Sequence, residues 1–93
     1  MIKTLIVSVD RSDPDTVVIN TTADLLHCPI RIGKETLRRL GYRHFRPVEL
    51  RPIASALVER EAARRGKIPL GGFVVAADDV EGLPEAPAKP PVH

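Results

Sequence analysis

Eleven basic residues fall between positions 31 and 67: Arg31, Lys34, Arg38, Arg39, Arg43, Arg46, Arg51, Arg60, Arg64, Arg65 and Lys67. Only four acids share that stretch, so it carries a net charge of +7. Guanidinium groups hydrogen-bond phosphates in pairs, and a cluster of them on a surface gains affinity by releasing the counterions of a polyanion. Tyr42, His44 and Phe45 are interleaved with Arg43 and Arg46, and rings so placed can stack on bases where they are exposed. The competing reading is a solvated cationic surface balanced by its neighbours, because charge asymmetry reports a potential and not a partner. The flanks fit that reading: residues 1–30 carry net −2 and residues 68–93 net −3.

Other chemistry-bearing residues form weaker patterns. Asp10, Asp13 and Asp15 are spaced carboxylates on a turn-rich stretch and could offer hard oxygens to a divalent cation. The stretch lacks the glycine and closing glutamate of an EF-hand, and aspartates in turns usually bond their own backbone. His27, Cys28 and His44 have no CxxC or HxxxH spacing, so zinc would need folding to gather them. Cys28, beside Pro29, reads as a small buried residue, and nothing places it near a histidine as a nucleophilic pair. Phosphate-binding glycine loops and the GxSxG elbow are absent. The residues therefore assign no catalytic group, no metal and no cofactor, and a binding protein is expected over an enzyme.

Elements must position these side chains. Ninety-three residues fit one small domain, and with one Tyr, two Phe and no Trp its core must be aliphatic. The lone cysteine allows no intrachain disulfide, and neither a signal-peptide pattern nor a membrane-length apolar run is present, so a soluble, cytoplasmic protein is expected. Residues 2–9, nearly all apolar and rich in β-branched types, predict a central strand covered on both faces. The DRSDPD turn leads to a second strand over 16–20, and a third is predicted at 73–77. Residues 23–27 predict a short helical turn capped by Thr21 or Thr22, residues 30–32 a short strand, and 34–40 two helical turns ended by Gly41. Over 42–48 the helical period is lost and Pro47 restricts the segment to an edge strand or connector.

The main helix is predicted over 52–65, with Pro52 at its first position and Gly66 at its exit. Ile53, Ala54, Leu57 and Val58 form its apolar stripe. The stripe gives way to Arg60, Glu61 and Arg64, so the second half is expected to protrude, displaying Arg60, Arg64, Arg65 and Lys67. Glu61 is in reach of Arg64 or Arg65 across one turn. Residues 82–93 read as a Pro-rich extended tail following a globular domain over 1–81, with Pro84, Pro87 and Pro90 spaced as on one polyproline face.

The sequence thus predicts an α+β fold: a small, mostly antiparallel sheet of three to four strands, one main helix and one or two short ones. Its expected function is contact with nucleic acid or a nucleoprotein complex through Arg38, Arg39, Arg43, Arg46, Arg60, Arg64, Arg65 and Lys67. The alternative is a protein-interaction module, such as a small inhibitor, adaptor or assembly subunit, docking on an acidic protein surface with help from the tail.

Overall fold

A computed structural model describes residues 2–86. In chain order it contains β1 (Thr4–Asp10), β2 (Thr16–Ala23), β3 (Leu26–His27), β4 (Ile30–Gly33), α1 (Lys34–Arg39), α2 (Pro47–Arg65) and β5 (Phe73–Val74). The sheet runs β1-β2-β4-β5, with β3 also paired to β2. All its pairings are antiparallel except β4 with β5, which is parallel because the chain crosses over through both helices before returning. The α+β class and the mostly antiparallel sheet agree with the sequence, and the strands number five.

The alternation of β2 places the core. Val17, Ile19, Thr21 and Ala23 are buried, while Thr16, Val18, Asn20 and Thr22 between them are half-buried. Ile30 and Ile32 of β4 continue the buried face. Over it lies α2, whose Leu50, Ile53, Ala54, Leu57 and Val58 are all buried. Each large side chain in that stripe contributes roughly 1.5–3 kcal/mol by leaving water.

Four sequence expectations change. First, β1 is an edge strand, not a doubly covered central one: Leu5 and Val7 are exposed and none of its residues is fully buried. Helices cover only one face of this sheet, so an apolar run here does not require two buried faces. Second, residues 23–27 form no helical turn. Asp24 and Leu25 both take positive φ, 49° and 70°, in a tight turn that pairs Ala23 with Leu26 and Thr22 with His27. Asp24 ties this turn to β1, donating its N–H to the Lys3 carbonyl at 2.8 Å and accepting the Lys3 N–H at 2.8 Å.

Third, there is no strand over 42–48. The main helix begins at Pro47, five residues earlier than predicted, and Pro52 lies inside it. Pro47 suits the first helical position, where its missing N–H is an orphan in any case, whereas Pro52 lies in the second turn and leaves the Val48 carbonyl without its helical donor. Glu49 then organises the entry. Its carboxylate accepts the N–H groups of Phe45 at 2.8 Å, His44 at 3.1 Å and Arg43 at 3.4 Å. Glu49 is the third helical residue and reaches back past the Arg46 cap to the connector, so this is not a capping box, which would bond the cap residue itself. It also supports Phe45, which sits at φ 55° with its ring buried.

Fourth, the strand expected over 73–77 is paired only at Phe73 and Val74. The chain reaches β4 through Gly72, where an added Cβ would meet the Pro29 carbonyl oxygen at 2.0 Å; only glycine fits that approach.

After Gly82 the chain stays against the fold. Leu83 is buried, the Tyr42 hydroxyl donates to the Pro84 carbonyl at 2.9 Å, and Ala86 donates its N–H to the Leu40 carbonyl at 2.8 Å. Pro87 and Pro90, which complete the polyproline spacing, lie outside the described residues. Among the described residues no helix is long and apolar enough to cross a membrane.

Candidate anion-binding surface

The basic residues separate into two groups at opposite ends of α2. Arg46 is the residue that caps its N-terminus and Arg64 lies in its last turn. Eighteen residues at 1.5 Å each put them about 27 Å apart along the axis. The two clusters seen in the sequence therefore lie at opposite ends of the helix and do not merge into one compact patch.

The C-terminal group is engaged within the molecule. Arg64 meets Asp79 with both terminal nitrogens, at 2.7 and 3.0 Å. Arg60 donates from Nη2 to the Asp79 backbone carbonyl at 3.0 Å and to its carboxylate at 3.2 Å. Arg60 is only 21% exposed at its side chain and so is covered, against expectation, whereas Arg64, Arg65 and Lys67 are exposed as expected. The segment leading to Asp79 covers Arg60. Glu61 pairs with Arg65 at 3.4 Å and lies 3.9 Å from Arg64, as its spacing predicts. The Arg64 hydrogen bonds hold the Asp79 carboxyl below the usual carboxylate range, and the same bonds raise Arg64. Lys67 is exposed just beyond the helix.

The N-terminal group is arranged differently. Arg38 and Arg39 occupy the last turn of α1, where cations complement the helix dipole. That helix ends sharply: Gly41, at φ 91°, donates to the Arg38 carbonyl and Tyr42 to that of Leu37, the two bonds of a Schellman motif. The turn carries Arg43 and then Arg46 to the N-terminus of α2. Arg38 lies 5.8 Å from the centre of the Phe45 ring and loosely pairs with Glu35 at 3.9 Å. Arg39, Arg43 and Arg46 are exposed, and among the described residues no carboxylate pairs with their guanidinium groups. Arg11 reaches the same connector, donating to the His44 carbonyl at 3.0 Å, and Lys34 donates to the Arg11 carbonyl at 3.0 Å.

Two of the three interleaved rings are not available for stacking. Tyr42 is fully buried and Phe45 nearly so, leaving only His44 exposed. Burial pushes the Tyr42 phenol up to about 12, with Glu49 adding to the shift. An open hollow of about 340 Å³ beside the connector has Arg43 and His44 on its wall but Glu49 and Glu85 as well. Its mixed charge suits a small anion poorly.

The remaining candidates have structural occupations. Asp10 accepts both the N–H and the hydroxyl of Ser12, at 2.9 and 2.6 Å, and these bonds lower its pKa. Asp13 accepts the N–H groups of Asp15 and Thr16 at 2.8 and 3.0 Å. Cys28 is buried, which raises its thiol pKa, while His27 and His44 are exposed. Among the described residues no three His, Cys, Asp or Glu side chains gather as a metal site.

Compared with protein-family models, curated proteins and solved structures, the chain finds no match.

Proposed function

We propose that this protein is a non-enzymatic binder of nucleic acid, free or within a nucleoprotein complex, that engages the phosphate backbone through Arg38, Arg39, Arg43 and Arg46. The observation that carries this reading is the set of exposed guanidinium groups of Arg39, Arg43 and Arg46, free of carboxylate partners among the described residues and carried by the end of α1, the connector and the start of α2. Arg60, Arg64, Arg65 and Lys67 take a lesser part, since the first three are already held by Asp79 or Glu61.

Burial of Tyr42 and Phe45 leaves His44 as the one exposed ring of the three and makes phosphate contact, which is indifferent to sequence, the main interaction. Binding should therefore be broad across sequences and steeply salt-dependent. Fluorescence anisotropy with labelled duplex DNA, duplex RNA and single strands tests this. Association at low salt that disappears as salt rises is the expected result, and no association with any of the probes refutes it. Such a role suits a cytoplasmic protein.

A second reading, a protein-interaction module, draws on a different surface. Leu25 is 83% exposed at the tip of the β2–β3 turn, and Leu26 and Leu70 are also exposed. The Gly71 N–H to His27 carbonyl contact, at 3.4 Å, brings the loops bearing them together. Apolar side chains on adjacent loops near Lys67 suit a protein partner. Capture of a partner that survives nuclease treatment and is lost on Leu25→Ser with Leu70→Ser would favour this reading over the first.

A further inference from the structure

The outer edge of β1 is the longest open strand edge in the sheet: among the described residues nothing pairs with its far side, and β5 at the other edge has two residues. Leu5 is 49% and Val7 69% exposed there. An open hollow of about 420 Å³ flanks this side, between Thr4–Ile6 and the Arg51 and Ser55 side chains of α2. A neighbouring strand needs a spacing of about 4.8 Å, and exposed edges of this kind invite one.

The register of β1 on β2 specifies which strand fits. Leu5 faces Thr22 and Ser8 faces Asn20, whereas Ile6 faces Thr21 and Val9 faces Ile19; Val7 is the extra residue of a bulge. Lys3, Leu5, Ser8 and Asp10 therefore share the open face of the sheet, and Thr4, Ile6 and Val9 share the core face. The Lys3 carbonyl accepts the Asp24 N–H, so by alternation Lys3, Leu5, Ser8 and Asp10 turn their backbone groups towards β2. Thr4, Ile6 and Val9 turn theirs outward.

We propose that β1 pairs antiparallel with β1 of a second copy of this chain about a two-fold axis between Ile6 and Val7. In that register Thr4 faces Val9 of the other copy, so two residues with outward backbone groups meet and form ladder bonds. Leu5 faces Ser8, both on the open face. Lys3 faces Asp10, giving one ion pair at each end of the ribbon. A shift by one residue sets core-face residues against open-face ones and separates Lys3 from Asp10, because the bulge changes the parity of the strand. Two-fold pairing of identical edges closes the assembly and leaves no new edge to propagate.

The test is sedimentation of the full chain with charge variants. The wild type should reach a dimer as concentration rises. Lys3→Glu and Asp10→Lys should each weaken self-association about tenfold or more, since each places like charges at both ends. An equimolar mixture of the two variants should recover it. In the mixed dimer the glutamate introduced at position 3 meets the lysine introduced at position 10 across one end, while the unchanged Asp10 and Lys3 meet across the other. Asp10→Lys also loses the Ser12 bonds, so a second measurement stands apart from it. Leu5 and Ser8 face each other at a non-hydrogen-bonded position, about 4.5 Å between Cα atoms, which a disulfide can span. Mixed Leu5→Cys and Ser8→Cys chains should form a covalent dimer on mild oxidation, and Leu5→Cys alone should not. A wild type that stays monomeric, a mixture of charge variants that does not recover, or cysteine variants that fail to cross-link would each overturn the proposal.

Discussion

The Arg64 guanidinium meets the Asp79 carboxylate with both terminal nitrogens, 2.7 Å from one oxygen and 3.0 Å from the other. Arg60 holds the same residue by its carboxylate and its backbone carbonyl. One aspartate thus fastens the segment after β5 to the last turns of α2, and it occupies hydrogen-bonding groups of two of the most conspicuous arginines. The contact also joins positions fifteen and nineteen residues apart, so it stabilises a chain reversal and not a local turn.

This clamp sets an acid dependence. The Arg64 bonds hold the Asp79 carboxyl below its ordinary value of 3.8, so the folded state prefers the charged form. The stabilisation is present above the unfolded pKa and is lost as pH falls through the lower folded value. Asp79→Asn should melt at a lower temperature than wild type at neutral pH. The difference should shrink as pH falls below 3.8 and through the lowered folded value. Thermal melts followed by circular dichroism from neutral to acid pH check this.

Tyr42 sets an alkaline dependence. Its phenol is buried, donates to the Pro84 carbonyl at 2.9 Å, and is pushed up from 10 to about 12. The neutral form is favoured in the fold, so its contribution is complete below the unfolded pKa and is lost as pH rises through the folded one. The loss should be on the order of 2 kcal/mol. Because it is the only tyrosine and there is no tryptophan, the near-ultraviolet phenolate band reports it alone. Native protein should titrate near 12 and denatured protein near 10. Tyr42→Phe should cost about 1 kcal/mol at neutral pH and release residues 83–86 to proteolysis.

Leu25 occupies a position that glycine or asparagine normally takes. The Asp24-Leu25 pair has positive φ at both residues, and Leu25 is nearly fully exposed, so no burial offsets its strain. Leu25→Gly should stabilise the hairpin by about 1 kcal/mol, since an Asp-Gly pair suits this turn. Urea melts compare the two proteins, and a loss of stability would show that the leucine is held by contacts outside the hairpin.

Where the fold is legible in the sequence, the signal is local and redundant. The β1–β2 hairpin follows from β-branched runs around the DRSDPD turn, and Gly41 and Gly66 both lie at positive φ where helices end. The start of α2 is hidden because Pro52 makes a complete starting signal by itself. Leu50 holds the correcting information: it lies three residues before Ile53, on the same stripe, and Pro47 is the better first residue. The β2–β3 turn is hidden because Asp24-Leu25 carries no glycine or asparagine. The fate of the cations is the least legible feature. Asp79 lies outside the helix that carries Arg60 and Arg64, and no sequence period links a loop carboxylate to a helix face. The same applies to Tyr42, which looks like an interleaved surface ring until Pro84 is found against its hydroxyl.

Salt-dependent binding of a labelled duplex measures the division of labour between the two arginine groups. Three or four phosphate contacts give a slope of about −3 for log K against log salt. The Arg39→Glu, Arg43→Glu, Arg46→Glu triple variant should lose binding at all salt concentrations, while Arg65→Glu with Lys67→Glu should keep most of the affinity and most of the slope. A triple variant that binds as the wild type does, or a loss seen only on changing Arg65 and Lys67, would show that Arg39, Arg43 and Arg46 do not carry the binding.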